Sequence, residues 1–174
     1  MGRKGGTVSD AQAAIEQRLR AENQFKGGAS WFYWIAGLSL INSAIMLFSE
    51  SDWGFIFGLA ITQVVDVVAK SLGEDLGIGV KLAAFGFDLL AAGFFVAMGY
   101  LAHRRMGWAF IVGMIVYLLD GLLYLPMMYL WGLGFHAFAL VSMWGGFQAG
   151  QRLASMPQPA EAAPPQPMGG DVQP

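Results

Sequence analysis

Four long apolar runs with short polar breaks constrain this chain more than any other feature. Residues 29–48 (ASWFYWIAGLSLINSAIMLF), 78–101, 108–130 and 133–151 are each mostly apolar, and about 20 such residues in a helix cross a hydrocarbon core of about 30 Å. Only helices and closed barrels satisfy their own backbone hydrogen bonds in lipid, and barrel strands read as alternating segments of about 10 residues. Unbroken runs of this length therefore predict an all-α, polytopic integral membrane helical bundle.

A fifth segment, 53–72 (WGFIFGLAITQVVDVVAKSL), decides the span count. Each Leu, Ile, Phe or Val favours insertion by about 0.3–0.6 kcal/mol, and a central Asp or Lys opposes it by about 2.5–3.5 kcal/mol. Ten such apolar residues stand against Asp66, Lys70 and Gln63, so the balance is near zero. This helix crosses only if neighbouring helices shield the stripe of Gln63, Asp66 and Lys70. The expectation is five spans (29–48, 53–72, 78–101, 108–130, 133–151), with four spans plus one embedded or interfacial helix as the alternative.

Lys and Arg are retained on the cytoplasmic side, and Arg3, Lys4, Arg18, Arg20 and Lys26 place the N-terminus there. Five spans then leave Arg104, Arg105 and Arg152 outside, whereas four leave only Lys70 and Lys81 outside. The expected location is a bacterial-type cytoplasmic (inner) membrane. Trp31, Tyr33, Trp34, Trp53, Tyr100, Trp108, Tyr129 and Trp131 fall near span ends, as interfacial aromatic belts do.

Flanking segments complete the domain reading. Residues 1–28 form a cytoplasmic segment whose Ser9 and Gln12 make a capping box for a short helix to about Phe25, ended by Gly27-Gly28. No signal peptide is expected, because the first apolar run starts only near residue 29. Residues 29–152 form the bundle, and the Pro-rich stretch 153–174 is expected to be disordered.

Composition then excludes function classes. The chain is 56% hydrophobic and 13% charged with net charge −2, which lacks the basic footprint of a nucleic-acid binder. With no cysteine, disulfide and thiolate chemistry are absent. No nucleophile elbow, HExxH or Walker loop occurs, so no cofactor, no metal set and no enzyme activity are expected.

What remains is a set of polar residues inside the apolar runs: Asn42, Gln63, Asp66, Asp88, Asp120 and His136. Ionisable groups in spans commonly mark ion or proton paths. Reflecting position 120 through the turn at His103-Arg104-Arg105 gives about 89, which predicts Asp88 and Asp120 at one depth on adjacent helices, sharing a proton. The plainer reading is interhelical hydrogen bonding, for example from Asp120 to Tyr117 or Tyr124. Asp66 and Lys70, at i, i+4, predict an ion pair. Gly54 with Gly58, and Gly146 with Gly150, allow close helix approach. Shifting residues 31–70 by 78 onto 109–148 gives six identities in 40, which suggests an inverted repeat.

Two functions are compatible with this set. One is an accessory or scaffolding component of a membrane complex, with the lipid bilayer and a membrane-protein partner or a second copy as its contacts. The other is a small proton-linked transporter or channel using midplane carboxylates.

Overall fold

The computed structural model describes residues 8–48, 58–126 and 128–157, and among these the regular structure is all helical. Five helices follow in order: α1 (Val8–Phe48), α2 (Ala60–Leu76), α3 (Ile78–His103), α4 (Gly107–Leu122) and α5 (Leu130–Ser155). Three of them, α1, α3 and α5, are long and apolar enough to cross a membrane. At 1.5 Å per residue α3 and α5 are about 39 Å long, whereas α2 and α4 reach only about 25 Å.

Helix α1 does not stop at Gly27-Gly28, where the sequence predicted the end of a short N-terminal helix. Its buried positions, Ala21, Phe25, Gly28, Ala29, Phe32, Ile35, Ala36, Ser39, Asn42 and Ser43, keep i, i+3, i+4 spacing straight through the glycine pair. The reason lies across the interface. An ideal Cβ on Gly28 would stand 2.5 Å from the Gly146 Cα of α5, and one on Gly146 would stand 2.6 Å from the Gly28 Cα. Gly28 is thus a contact surface rather than a helix stop. Around this contact Phe25, Phe32, Phe95, Phe110 and Tyr117 interlock, with Phe32–Phe110 and Phe95–Tyr117 ring centroids 5.7 and 6.0 Å apart.

Contacts along α1 fix the direction of every other helix. Leu59 bonds Ser39, and Leu47 packs against Val65 and Ala69, so α2 runs parallel to α1. Helix α3 runs antiparallel, with Phe85 at Phe48 and His103 at Tyr33. Helix α4 is parallel again, from Phe110 at Phe25 to Asp120 at Ala60. Helix α5 returns antiparallel, from Phe138 at Trp31 to Pro157 at Arg18.

Parallel α1 and α2 differ from the up-down pair that five successive crossings require. The basic residues show the consequence. Arg105 lies over the Phe25 ring, and Arg20 and Arg152 line one groove, so the N-terminal half of α1, the α3–α4 turn and the end of α5 share one end of the bundle. Lys81 packs on Gly73 at the other end. The repeat suggested by a shift of 78 also fails here, because α1 and α2 are parallel while α4 and α5 are antiparallel.

Helix boundaries differ most from the predicted spans at the end of α4 and the start of α2. Helix α4 ends at Leu122, short of the predicted 130. Pro126 lacks an N–H and disfavours helical backbone at the residue before it, and residues 123–126 form turns. Helix α2 begins at Ala60; residues 53–57 of the predicted span, with Trp53 and Gly54, lie outside the described residues, as do 1–7 and 158–174 of the predicted tails. Gly58 precedes α2 at φ +148°, and a Cβ there would lie 3.0 Å from the Ser39 Cα. Its role is this close, positive-φ approach to α1.

Large apolar side chains are exposed on α3, α4 and α5. Leu90, Leu130, Trp131 and Val141 are each more than 70% exposed, while Asp66, Asp88, Asp120 and His136 are buried. This is the reverse of a water-soluble bundle.

Candidate functional site

The N-terminus of α2 lies inside the bundle and creates the polar centre. A helix start leaves its first backbone N–H groups without intrahelical partners, and Leu59 at the N-cap has no side chain to supply one. Other helices supply them. Ser39 Oγ accepts the Leu59 N–H at 2.8 Å and donates to the Ile35 carbonyl at 2.8 Å. Asp120 accepts the Ala60 N–H at Oδ2 (2.7 Å) and the Ile61 N–H at Oδ1 (2.9 Å). A carboxylate at a helix N-terminus also meets the positive end of the helix dipole.

His136 of α5 completes the centre. Its Nε2 lies 2.9 Å from Asp120 Oδ2 and its Nδ1 lies 3.0 Å from the Gly132 carbonyl. Tyr117 stacks on the imidazole at 4.1 Å with a 13° interplanar angle, and Tyr124 meets it edge-on. On the remaining side Gly121 leaves room, since a Cβ there would stand 2.8 Å from His136 Cδ2. The ring is therefore fixed in position and plane.

Hydrogen-bond bookkeeping limits the protonation of this pair. The Gly132 carbonyl only accepts, so His136 Nδ1 carries a hydrogen. Between Nε2 and Oδ2 one further proton must lie, on either atom, and the pair is then neutral overall. The Asp120 carboxyl group thus faces His136, where the sequence placed Asp88 opposite it.

Asp88 belongs to a second cluster. It interacts with Asp66 of α2 and with Ser43 of α1, and all three are fully buried. The depth comparison of Asp88 with Asp120 carried no azimuth, and azimuth separates them. Asp66 lies six residues beyond Ala60 on α2, which places the two clusters about 9 Å apart along that helix.

Neither Asp66 carboxyl oxygen has a hydrogen-bond partner, and the side chains acting on it are Ser43 and Asp88. Tyr117 and Tyr124 give ring faces and edges to His136, while their hydroxyls make no hydrogen bond. Gln63 lies beside the Tyr124 hydroxyl, short of bonding geometry. Asn42 is buried, with its Nδ2 4.0 Å from Met46 Sδ and its Oδ1 unpartnered.

Sequence reasoning missed Ser39 and Ser43. Their signal was present, because Ser39, Asn42 and Ser43 form an i, i+3, i+4 polar stripe on the buried face of α1. The chain matches no protein-family model, and no curated protein or solved structure shows significant similarity to it.

Proposed function

We propose that this chain is an integral protein of a bacterial-type cytoplasmic membrane that translocates protons, with the Asp120–His136 pair as its proton-binding centre. The observation that carries the reading is the 2.9 Å contact between two buried ionisable side chains, Asp120 and His136, at the start of a helix that begins inside the bundle. Irregular backbone at membrane depth is tolerated where protein buries it, and broken helices aimed at an ion site recur in transporters. Ser39 lies 13 residues from Lys26 and nine from Phe48, so the centre sits about 20 Å from the basic end and about 14 Å from the other.

In this reading α1, α3, α4 with its following turns, and α5 cross the bilayer, and α2 is an embedded half-helix. The basic end is cytoplasmic, since Arg18, Arg20, Lys26, Arg104, Arg105 and Arg152 lie there against Lys70 and Lys81 opposite. Cysteine labelling in inverted and right-side-out vesicles tests this without background, as the chain has no cysteine. Met106→Cys and Ser155→Cys react from the cytoplasmic side and Ile78→Cys from the other. Opposite sides for Met106→Cys and Ser155→Cys would refute the arrangement.

Gly146 and Gly150 contact Gly28 and Phe25 of the same chain, so these small residues do not themselves speak for a scaffolding partner. The transport reading is tested in proteoliposomes. Wild-type protein acidifies or alkalinises the lumen under an imposed potential, and Asp120→Asn abolishes that flux while remaining folded. Wild-type vesicles that stay proton-tight under every pH and voltage gradient would end the proposal.

A further inference from the structure

We propose that Asp66, Asp88 and Ser43 form a second site, one that binds a dehydrated, hard metal cation through oxygen alone. Five buried oxygens converge there from three helices: both carboxyl oxygens of Asp66, both of Asp88, and Ser43 Oγ. None has a hydrogen-bond partner in the protein, and each of the three residues is 0% exposed. Unpartnered buried carboxyl oxygens are costly unless a cation or hydrogen bond satisfies them.

Ser43 is the informative residue. Ser30, Ser39, Ser71 and Ser142 each donate their hydroxyl to the carbonyl four residues earlier, the usual refuge of a helical serine. Ser43 does not, although it lies in the same helix as Ser30 and Ser39. Its hydroxyl lies instead beside the Asp66 and Asp88 carboxyl groups, where it can donate its one hydrogen to a carboxylate and keep its lone pairs for a cation. An oxygen lining of this kind selects hard cations, whereas soft transition metals prefer nitrogen and sulfur. Among the described residues no three His, Asp or Glu side chains gather, so neutral oxygens must complete the shell.

The closed surroundings narrow the choice further. Mg²⁺ keeps several waters and an octahedral shell, while Ca²⁺ accepts bidentate carboxylates in flexible geometry. Ca²⁺ would neutralise both carboxylates, and Na⁺, also a hard oxygen-seeking ion, would do so together with one proton. This site lies apart from the Asp120–His136 pair, and binding is measured on detergent-solubilised protein without any flux, so either proposal can fail alone.

Thermal unfolding and calorimetric titration of the full chain are compared in NaCl, choline chloride, CaCl₂ and MgCl₂ at equal ionic strength. Na⁺ over choline, or Ca²⁺ over Mg²⁺, raises the unfolding temperature by several degrees, and the responding ion identifies the physiological class. Asp88→Asn and Ser43→Ala each weaken that binding more than about tenfold, the scale of losing even an outer-shell partner, whereas Asp120→Asn leaves it within about twofold. Equal stability in all four salts would overturn the site, as would undiminished binding in Ser43→Ala and Asp88→Asn. If Asp88→Asn does not fold, Ser43→Ala decides alone.

Discussion

Gly28→Val is expected to destabilise the bundle by about 3 kcal/mol or more, the upper range for overpacking a filled interior, while Gly27→Ala is expected to be neutral or to stabilise by up to about 1 kcal/mol. The two positions are adjacent in α1 and differ only in what they face. A Cβ at Gly27 meets nothing within 4 Å, whereas one at Gly28 would overlap the Gly146 Cα at 2.5 Å, with the Ser142 carbonyl at 3.1 Å. Side chains relieve a clash by changing rotamer, but backbone atoms cannot. The helices must separate, and separation pulls Trp31 of α1 away from the Phe135 and Phe138 rings of α5. Reversible unfolding of both variants in detergent measures the contrast. If Gly28→Val unfolds within about 0.5 kcal/mol of wild type, the range of an ordinary surface change, the close α1–α5 contact is absent.

That glycine pair also marks how far the sequence could be read. Apolar runs and their spacing gave the helices, because a helical period of buried side chains survives in composition alone. A double glycine resembles a helix stop by local propensity. What overrides propensity here is a partner 118 residues away, Gly146, which takes a backbone where a side chain would sit. The spacing of Ala21, Phe25, Ala29, Phe32 and Ala36 already ran through the pair and was the better guide.

The polar centre was legible in depth and illegible in direction. Rise per residue is fixed, so counting from the Arg104-Arg105 turn brought Asp88 and Asp120 to one level. Which neighbour each side chain faces depends on helix order and rotation, and those follow from the parallel course of α2. Once α2 starts beside Ser39, its free N–H groups need acceptors, and Asp120 is turned toward them. Asp88 is left to face Asp66. The notion of a single carboxylate pair thus resolves into two centres on either side of the first turns of α2.

Asp120 therefore has a structural role that is separable from proton transfer, and two substitutions divide the roles. Asp120→Ala removes the acceptor for the Ala60 and Ile61 N–H groups and the partner of His136 Nε2, three buried groups whose desolvation costs about 1–3 kcal/mol each when left unpaired. A loss of about 3–9 kcal/mol is expected, with fraying of the first turn of α2. Asp120→Asn retains most of this. Its Oδ1 still accepts the Ile61 N–H, and its Nδ2 donates to Nε2 of an imidazole already protonated on Nδ1, so only the Ala60 bond is forfeited, at about 1–2 kcal/mol. Yet an amide cannot release the proton that the carboxyl group exchanges with His136. The asparagine variant should unfold near the wild-type temperature with no flux, and the alanine variant should unfold many degrees lower. Amide hydrogen exchange at Ile61 separates the cases, rising strongly in the alanine variant alone, whereas Ala60, whose acceptor both variants lose, exchanges faster in both. Equal stability and equal exchange in the two variants would mean that Asp120 does not cap α2, and the protons counted on this centre would have to be assigned again.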